Sequence, residues 1–329
     1  MSDKRAEAAA ALRRLGRWRP LEYLFWLAAA ASWFWLPGQH ILLNEIAILA
    51  LFALSLDLVL GYGGIVSLGH AAFFGCGAYV AGLLAKAGIA DPLLGIAAAG
   101  LGAALLGFAT SFLVLRGTDL TRLMVTLSVS LVLFELANRM TWLTGGADGL
   151  QGIVVGKVLG RYEFDIFGRV ACATSLLVLF VLFLVARRVM NSAFGYSVRA
   201  VRGNALRTAA IGIPVNARLV GIYTMAAAYA GVAGGLLAET TQFVSLDVLA
   251  FHRSADVLLT LVIGGTGYLY GGLVGALLFR IVQGWLSEAT PQYWQFWIGL
   301  VFVLMVMIGR ERVFALPGAL FAAWRPRQP

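Results

Sequence analysis

About ten stretches of mostly apolar residues follow one another along this chain of 329 residues. A helix of about 20 apolar residues is long enough to cross the hydrocarbon core of a bilayer. Because 60% of the residues are hydrophobic and only 12% are charged, an ordinary soluble domain is excluded. The sequence therefore predicts an all-α, polytopic membrane protein. Its transmembrane helices are expected near residues 21–38, 41–60, 64–85, 92–115, 121–142, 169–187, 218–239, 254–268, 270–287 and 293–309.

The third apolar stretch is interrupted by glycines, which an ordinary lipid-facing helix does not contain in such number. Residues 61–84 read GYGGIVSLGHAAFFGCGAYVAGLL. Backbone broken by glycine is tolerated at membrane depth only where protein or a water-filled cavity surrounds it. The segment therefore predicts one wall of a translocation pathway. The residues assigned to this wall are Gly64, Ser67, Gly69, His70, Phe73, Gly75 and Gly77.

Two questions about this predicted pathway stay open at the level of sequence. His70 either donates a hydrogen bond to a passing solute or, as a neutral imidazole, satisfies a broken backbone turn. A second glycine cluster, between the eighth and ninth stretches, marks either a tight turn or one broken helix. The members of this cluster assigned to the pathway are Gly264, Gly265 and Gly267.

The basic residues are concentrated in four regions that ten spans would place on the same side of the membrane. These regions hold 18 of the 25 Lys and Arg residues. The positive-inside rule identifies that side as the cytoplasm, so both termini are expected there. We divide the chain into a basic N-terminal segment (1–20), a transmembrane domain (21–312) and a C-terminal tail (313–329). The four basic regions are residues 4–19, 116–122, 187–218 and 310–327.

The motifs of catalysis are missing from the sequence. A phosphate-binding loop needs G-x-x-x-x-G-K followed by Ser or Thr, whereas the nearest match has Gln151 and Val158 at the first and last positions. The three histidines, His40, His70 and His252, are not spaced as metal ligands. We therefore expect a non-catalytic chain without its own cofactor or metal, and ATP hydrolysis is excluded for it.

Several ionisable residues fall within the apolar stretches, where a charge costs roughly 2.5–3.5 kcal/mol. Glu135 and Arg139 are four residues apart, so they share a helix face and are expected to pair with each other. Arg280 has no local partner and is expected to meet a carboxylate on another helix or another subunit. Asp256 is expected at the membrane interface.

The longest cytoplasmic loop, about residues 187–218, contains an amphipathic pattern. Apolar residues recur at roughly helical spacing between Phe194 and Ile213, arginines lie between them, and Pro214 closes the pattern. Such a helix or helix pair lies on anionic lipid, packs against its own bundle or fits a groove in a partner. The residues alone leave these three uses open.

Three motifs together resemble one known family. They are S-L-G-H-A-A-F-F-G within Gly61–Tyr79, T-G-G-A-D-G-L at Thr144–Leu150 and I-G-G-T-G-Y-L-Y-G-G-L-V-G-A at Ile263–Ala276. In order and spacing they resemble the LivM-type permease of branched-chain amino acid ABC importers. The resemblance runs from about residue 41 to 312, and it implies one half of a type II-like importer in the bacterial inner membrane.

The resemblance also implies partners. They are a LivH-type sister permease, two cytoplasmic ATPase subunits that bind ATP and Mg²⁺, and a periplasmic substrate-binding protein. Residues Gly195–Pro214 match the family's coupling region, which rests in a groove of the ATPase, so we place coupling at about 191–216. The residues assigned to coupling are Phe194, Arg199, Arg202, Arg207, Ile211 and Gly212.

The chain departs from the family within this coupling region. Residues 203–207 read GNALR where the family usually has acidic residues. We therefore expect a more acidic partner surface. The resemblance leaves the substrate open among leucine, isoleucine, valine, urea, amides and aromatic acids. A secondary transporter or facilitative channel is the main alternative, because broken helices suit it equally well.

Overall fold

The computed structural model describes residues 20–117, 119–158, 160–162, 164–165 and 167–308. The predicted tail (313–329) and the predicted N-terminal segment before residue 20 lie outside the described residues. Within this part of the chain the regular structure is helical, apart from two isolated bridges, Leu150 with Val244 and Val158 with Tyr162.

Each of the ten apolar stretches contains a helix. The first five are α1 (Pro20–Trp35), α2 (His40–Leu56, which continues as a π-helical turn, Asp57–Tyr62), α3 (Ala71–Lys86), α4 (Pro92–Val114) and α5 (Asp119–Arg139). The short α6 (Thr141–Thr144) and a 3-10 turn (Gly146–Asp148) follow. The remaining helices are α7 (Arg169–Met190), α8 (Ala193–Gly203), α9 (Ala205–Ala210), α10 (Val215–Thr241), α11 (Phe251–Gly264), α12 (Leu269–Ala289) and α13 (Trp294–Ile308), with a 3-10 turn (Leu246–Leu249) before α11.

Helix length and composition support a multi-pass membrane protein. Among the described residues, six helices are long and apolar enough to cross a bilayer, and α3 is a shorter apolar helix. The second glycine cluster forms a tight turn, since α11 ends at Gly264 and α12 begins at Leu269. The six long helices are His40–Tyr62, Pro92–Val114, Leu120–Arg139, Arg169–Met190, Val215–Thr241 and Leu269–Ala289.

Helix α3 begins inside the bundle, since His70 and Ala71 are fully buried, whereas α11 begins with the exposed residues Phe251 and His252. The third stretch becomes helical only at Ala71, because residues 63–70 run back along α2 in a non-helical conformation. Residues 242–250 lead into α11 and contain the 3-10 turn Leu246–Leu249. The two starts meet where the Ala71 N–H donates to Ser254 Oγ, 2.9 Å away. We call 63–70 and 242–250 the two broken segments.

The two broken segments belong to two halves of the chain, α2–α5 and α10–α13, whose corresponding helices run in opposite directions. We call the end of the bundle that carries Tyr62, α8 and Gly267 the α8 end. Helices α2 and α4 run towards the α8 end, α3 and α5 run away from it, and α10–α13 reverse each of these directions. Such inverted repeats with interrupted helices are common in transporters.

Glycine and alanine bring the backbones of the central helices into contact. A Cβ at Gly77 on α3 would collide with the carbonyl oxygen of Gly231 on α10, and a Cβ at Gly231 would meet Ala99 and Ala103 on α4. In hydrocarbon, helices associate through such close packing, since burial of apolar side chains gives no advantage there. The third stretch is therefore rich in glycine partly because α10 lies against it.

Gly77→Val should destabilise the folded chain. Its side chain meets backbone, which cannot move aside, so we expect a loss of about 1–3 kcal/mol. Thermal unfolding of the purified chain in detergent, followed by size-exclusion chromatography, measures the effect. Gly284→Val is the matched control, because no atom lies within 4 Å of a Cβ at that helical position. Equal melting temperatures for the two variants would contradict the packing argument.

Candidate functional site

The first candidate site is a junction at the α8 end, where the two halves of the chain meet. The Gly267 N–H, in the turn between α11 and α12, donates to Asp57 Oδ1 over 2.7 Å. Gly267 has a φ of +81°, which favours glycine, and a Cβ at Gly61 would collide with the Asp57 carboxylate. The junction therefore ties the π-helical turn at the end of α2 to the turn between α11 and α12.

Helix α8 lies directly against this junction. The Arg202 guanidinium donates to the carbonyl oxygen of Gly61, and a Cβ at Gly64 would lie 2.9 Å from Arg202 Cγ. The Arg199 guanidinium stacks on the Tyr62 ring, 4.9 Å from its centroid. Both arginines, which the sequence assigned to coupling with a partner, thus contact the chain's own membrane domain.

The other predicted coupling residues are divided between two faces. Phe194 faces the bundle, since the Arg218 guanidinium lies 5.5 Å from its ring and Gly221 packs beside it. Ile211 is 73% exposed, while Arg207 and Gly212 are also exposed and occupy α9 and the turn after it. These three remain free to meet a partner.

Sequence reasoning missed one outward-facing residue and one structural cap. Leu206 on α9 is 85% exposed, the most exposed large apolar side chain of this region. Its position among polar residues is the signal that could have identified it. Asn204 caps α9, because its Oδ1 accepts from the Arg207 N–H over 2.9 Å. The non-acidic GNALR sequence therefore builds the start of α9. We call α8 and α9 together the coupling hairpin.

The predicted pathway residues of the third stretch pack inside the bundle in this conformation. His70 is fully buried, hydrogen-bonds Ser55 through Nε2 at 2.8 Å and stacks on Phe52. Both contacts are with side chains of α2 rather than with a backbone turn, and the buried Nδ1 atom has no hydrogen-bond partner among the described residues. The buried Ser67 hydroxyl has no partner among the described residues. The other members contact neighbouring helices: Gly69 lies against the Thr126 carbonyl, Phe73 against Tyr223, Gly75 against Leu249 and Gly77 against Gly231.

The second candidate site is a cavity of about 300 Å³ in the half of the bundle away from α8. It lies between α2, α10, α11, α12 and the second broken segment. None of the ten predicted pathway residues lines it. The cavity instead carries charged side chains that the sequence did not bring together, because they come from three helices: Glu45, Arg253, Asp256 and Arg280.

The cavity contains the carboxylate partner of Arg280. Arg280 pairs with Glu45 on α2 and donates to Gln283 Oε1 at 2.6 Å, so its carboxylate partner lies within the same chain. Asp256 lines the same cavity from α11.

The exposed face of helix α5 carries a stripe of three polar residues, interrupted by the exposed Val132 and bordered by the exposed Leu131 and Leu136. Ser128, Glu135 and Arg139 are all exposed, and Arg139 Nε lies 2.6 Å from Glu135 Oε1. The predicted pairing of these two residues is confirmed. A span that exposes such groups is unsuited to face lipid over its whole length.

The family comparison matches most of the chain. The profile of the family described as branched-chain amino acid transport system / permease component matches residues 40–308. The high-affinity branched-chain amino acid transport system permease proteins LivM of Escherichia coli K12 and Salmonella typhimurium LT2 are similar to it. Each is 28% identical over 279 residues, which is 78% of this chain and 65% of the relative. The match thus spans less than two thirds of these relatives.

A more distant relative is the probable ABC transporter permease protein YphD of Escherichia coli K12. It is 33% identical over 132 residues, which is 38% of this chain and 39% of that protein. No solved structure matches the chain.

Asp57→Ala should weaken the junction. The part-buried Gly267 N–H would lose its acceptor, which costs about 1 kcal/mol. Asp57→Asn keeps an acceptor oxygen at the same place, so we expect a smaller loss of thermal stability. Melting temperatures of the two variants and the wild type in detergent provide the measurement. If Asp57→Asn is as unstable as Asp57→Ala, the hydrogen bond to Gly267 is not what holds the junction.

Proposed function

The chain belongs to the family of branched-chain amino acid transport system permease components, and on that premise we propose that it is a permease subunit of an ATP-driven importer. Its solutes are branched-chain amino acids or related small polar molecules. It forms half of a translocation pathway in the bacterial inner membrane, with both termini in the cytoplasm. ATP and Mg²⁺ bind to separate ATPase subunits, and a periplasmic protein delivers the solute.

The coupling hairpin is the observation that carries this proposal. One of its faces presents Leu206 and Ile211 to solvent, and its other face holds the junction through Arg202. Exposed apolar side chains on a short amphipathic hairpin are typical of a segment that fits a groove in a partner. A lone channel or secondary transporter has no use for such a segment, which favours the ABC importer over that alternative.

The junction supplies a route from the hairpin to the membrane. Arg202 contacts the Gly61 carbonyl, Gly61 adjoins the Asp57 carboxylate, and that carboxylate holds Gly267. A rigid-body movement of the hairpin with a closing ATPase dimer therefore displaces both halves of the chain at once. Such a displacement shifts the population between inward-open and outward-open states.

The exposed stripe of α5 supports a sister permease as the neighbour in the membrane. Ser128, Glu135 and Arg139 avoid lipid if a second permease covers them or if they border a water-filled pathway between the two subunits. The pathway is thus proposed to run along α5 rather than along the packed third stretch.

Substitutions on the two faces of the coupling hairpin should impair different properties, namely ATPase association and uptake. Leu206→Glu places a charge in the docking groove, so we expect ATPase association to weaken by about 2 kcal/mol, roughly thirtyfold. Arg202→Gln breaks the hydrogen bond to Gly61 and leaves the docking face intact. Uptake should then fall by about tenfold while the ATPase still co-purifies.

Co-purification and uptake into proteoliposomes measure these two outcomes. Val154→Glu is the control, because Val154 is 69% exposed but lies in the loop at the other end of the bundle. It should leave ATPase association unchanged. Normal association and uptake in both hairpin variants would refute the coupling assignment.

Assembly should immobilise a probe on α5. A nitroxide at Ser128→Cys, in a background without Cys76 and Cys172, should lose mobility when the sister permease is added to the chain in nanodiscs. Leu105→Cys on α4 is the control, since Leu105 is 70% exposed on a different helix. Electron paramagnetic resonance spectra report both. A mobile probe at position 128 in the complex would place the interface elsewhere.

A further inference from the structure

We propose that a groove between α4 and α10, at the α8 end of the bundle, binds an anionic phospholipid. The groove has a volume of about 690 Å³, and its lining residues come from the end of α4 and the start of α10. None of them belongs to the junction, the coupling hairpin or the charged cavity. The inference goes beyond the proposed function, because it requires only that the chain spans a membrane.

The groove forms because α4 and α10 pack closely over only part of their length. A Cβ at Gly107 on α4 would lie 2.4 Å from Ala227 Cβ on α10, so the two helices are in contact at this level. Nearer the α8 end, Phe108 and Phe112 are 46% and 52% exposed, and the small side chain of Ala217 fills little of the space opposite them. The gap between the helices is therefore open to the outer surface of the bundle.

An apolar stripe along α4 leads into the groove. Leu101, Leu105, Phe108 and Phe112 follow one another at intervals of three or four residues, so they share one helix face, and all four are exposed. Between Leu105 and Leu115 the helix rises about 15 Å, which is about half the hydrocarbon thickness of a bilayer. An acyl chain can therefore lie along this face for the depth of one leaflet.

A basic residue ends the stripe. Arg116 follows Phe112 by four residues, lines the groove and is exposed. It forms no hydrogen bond or ion pair with any residue whose side chain the structure describes. Asn216 lies across the groove and offers a side-chain amide, and the described lining includes no acidic residue. A guanidinium recognises a phosphate through two parallel N–H donors. The groove thus combines an apolar wall with a phosphate-binding end.

The first turn of α10 supplies further donors beside Arg116. Pro214 precedes the helix and makes no capping hydrogen bond through its side chain, and the first turn contains no acidic residue. The N–H groups of Asn216 and Ala217 therefore have no acceptor within the helix. A phosphate is stabilised at such a position. These donors add to the arginine, while the apolar stripe identifies the ligand as a lipid rather than a free anion.

The surrounding charges favour an anionic lipid over a zwitterionic one. The acidic side chains described at the α8 end already have partners, since Asp57 accepts from the Gly267 N–H and Glu22 pairs with Arg187. The ammonium group of a zwitterionic headgroup would therefore find no carboxylate in the groove. An anionic headgroup brings no such group to the arginine.

Native mass spectrometry of the full chain tests the proposal, with dioleoyl phosphatidylglycerol and dioleoyl phosphatidylcholine added separately to the protein in detergent. We expect phosphatidylglycerol to bind about tenfold more tightly, and Arg116→Gln should abolish this preference, because it removes a charge-assisted hydrogen bond to the headgroup. Arg188→Gln is the matched control. Arg188 is an exposed arginine of α7 at the same end of the bundle, but it lies outside the groove, so its loss should leave the preference intact.

A second variant fills the groove without changing its charge. Ala217→Trp should weaken phosphatidylglycerol binding by tenfold or more, and the exposed position of Ala217 leaves the helix packing intact. Excess inorganic phosphate should not displace the lipid, because phosphate lacks acyl chains. Equal affinity of the wild type for the two lipids, an unchanged preference in Arg116→Gln, unchanged binding in Ala217→Trp or displacement by phosphate would overturn the proposal. Loss of the lipid on assembly with a sister permease would also overturn it, since the groove would then be a protein interface.

Discussion

The structure depends on the need of every backbone N–H and C=O group inside a bilayer for a partner within the protein. Two broken segments lack continuous α-helical hydrogen bonding: 63–70 is non-helical, and 242–250 contains only the 3-10 turn Leu246–Leu249. Their groups find partners on other elements: the Leu68 N–H reaches Thr126 Oγ1 at 3.3 Å, and the Ala71 N–H reaches Ser254 Oγ. The surrounding helices are therefore required wherever the broken segments lie.

This requirement explains the distribution of glycine. Close contact of α10 with α3 and α4 encloses the first broken segment, and Gly77 and Gly231 allow that contact. At the α8 end, Gly61 and Gly267 allow the Asp57 carboxylate to reach a backbone N–H. Gly77 and Gly231 thus allow close helix packing, whereas Gly61 and Gly267 allow a hydrogen bond between the Asp57 carboxylate and a backbone N–H. Arg202 contacts the Gly61 carbonyl at this end.

The coupling hairpin and the charged cavity lie on opposite sides of the first broken segment. The coupling hairpin contacts the junction from one side, and the charged cavity reaches Phe52, beside His70, from the other. The half-helix starts lie between them.

The sequence by itself determined the properties that depend on local composition and spacing. These include the all-α membrane class, the ten helical stretches, the break before α3 and the pairing of Glu135 with Arg139 over one helical turn. Only the tertiary structure decided which way Arg202 and Phe194 face, which carboxylate Arg280 meets and that Asp256 lines a cavity. Arg202 and Gly61 are 141 residues apart, and Arg280 and Glu45 are 235 apart. Such pairs are set by the packing of the two inverted halves, which no local pattern encodes.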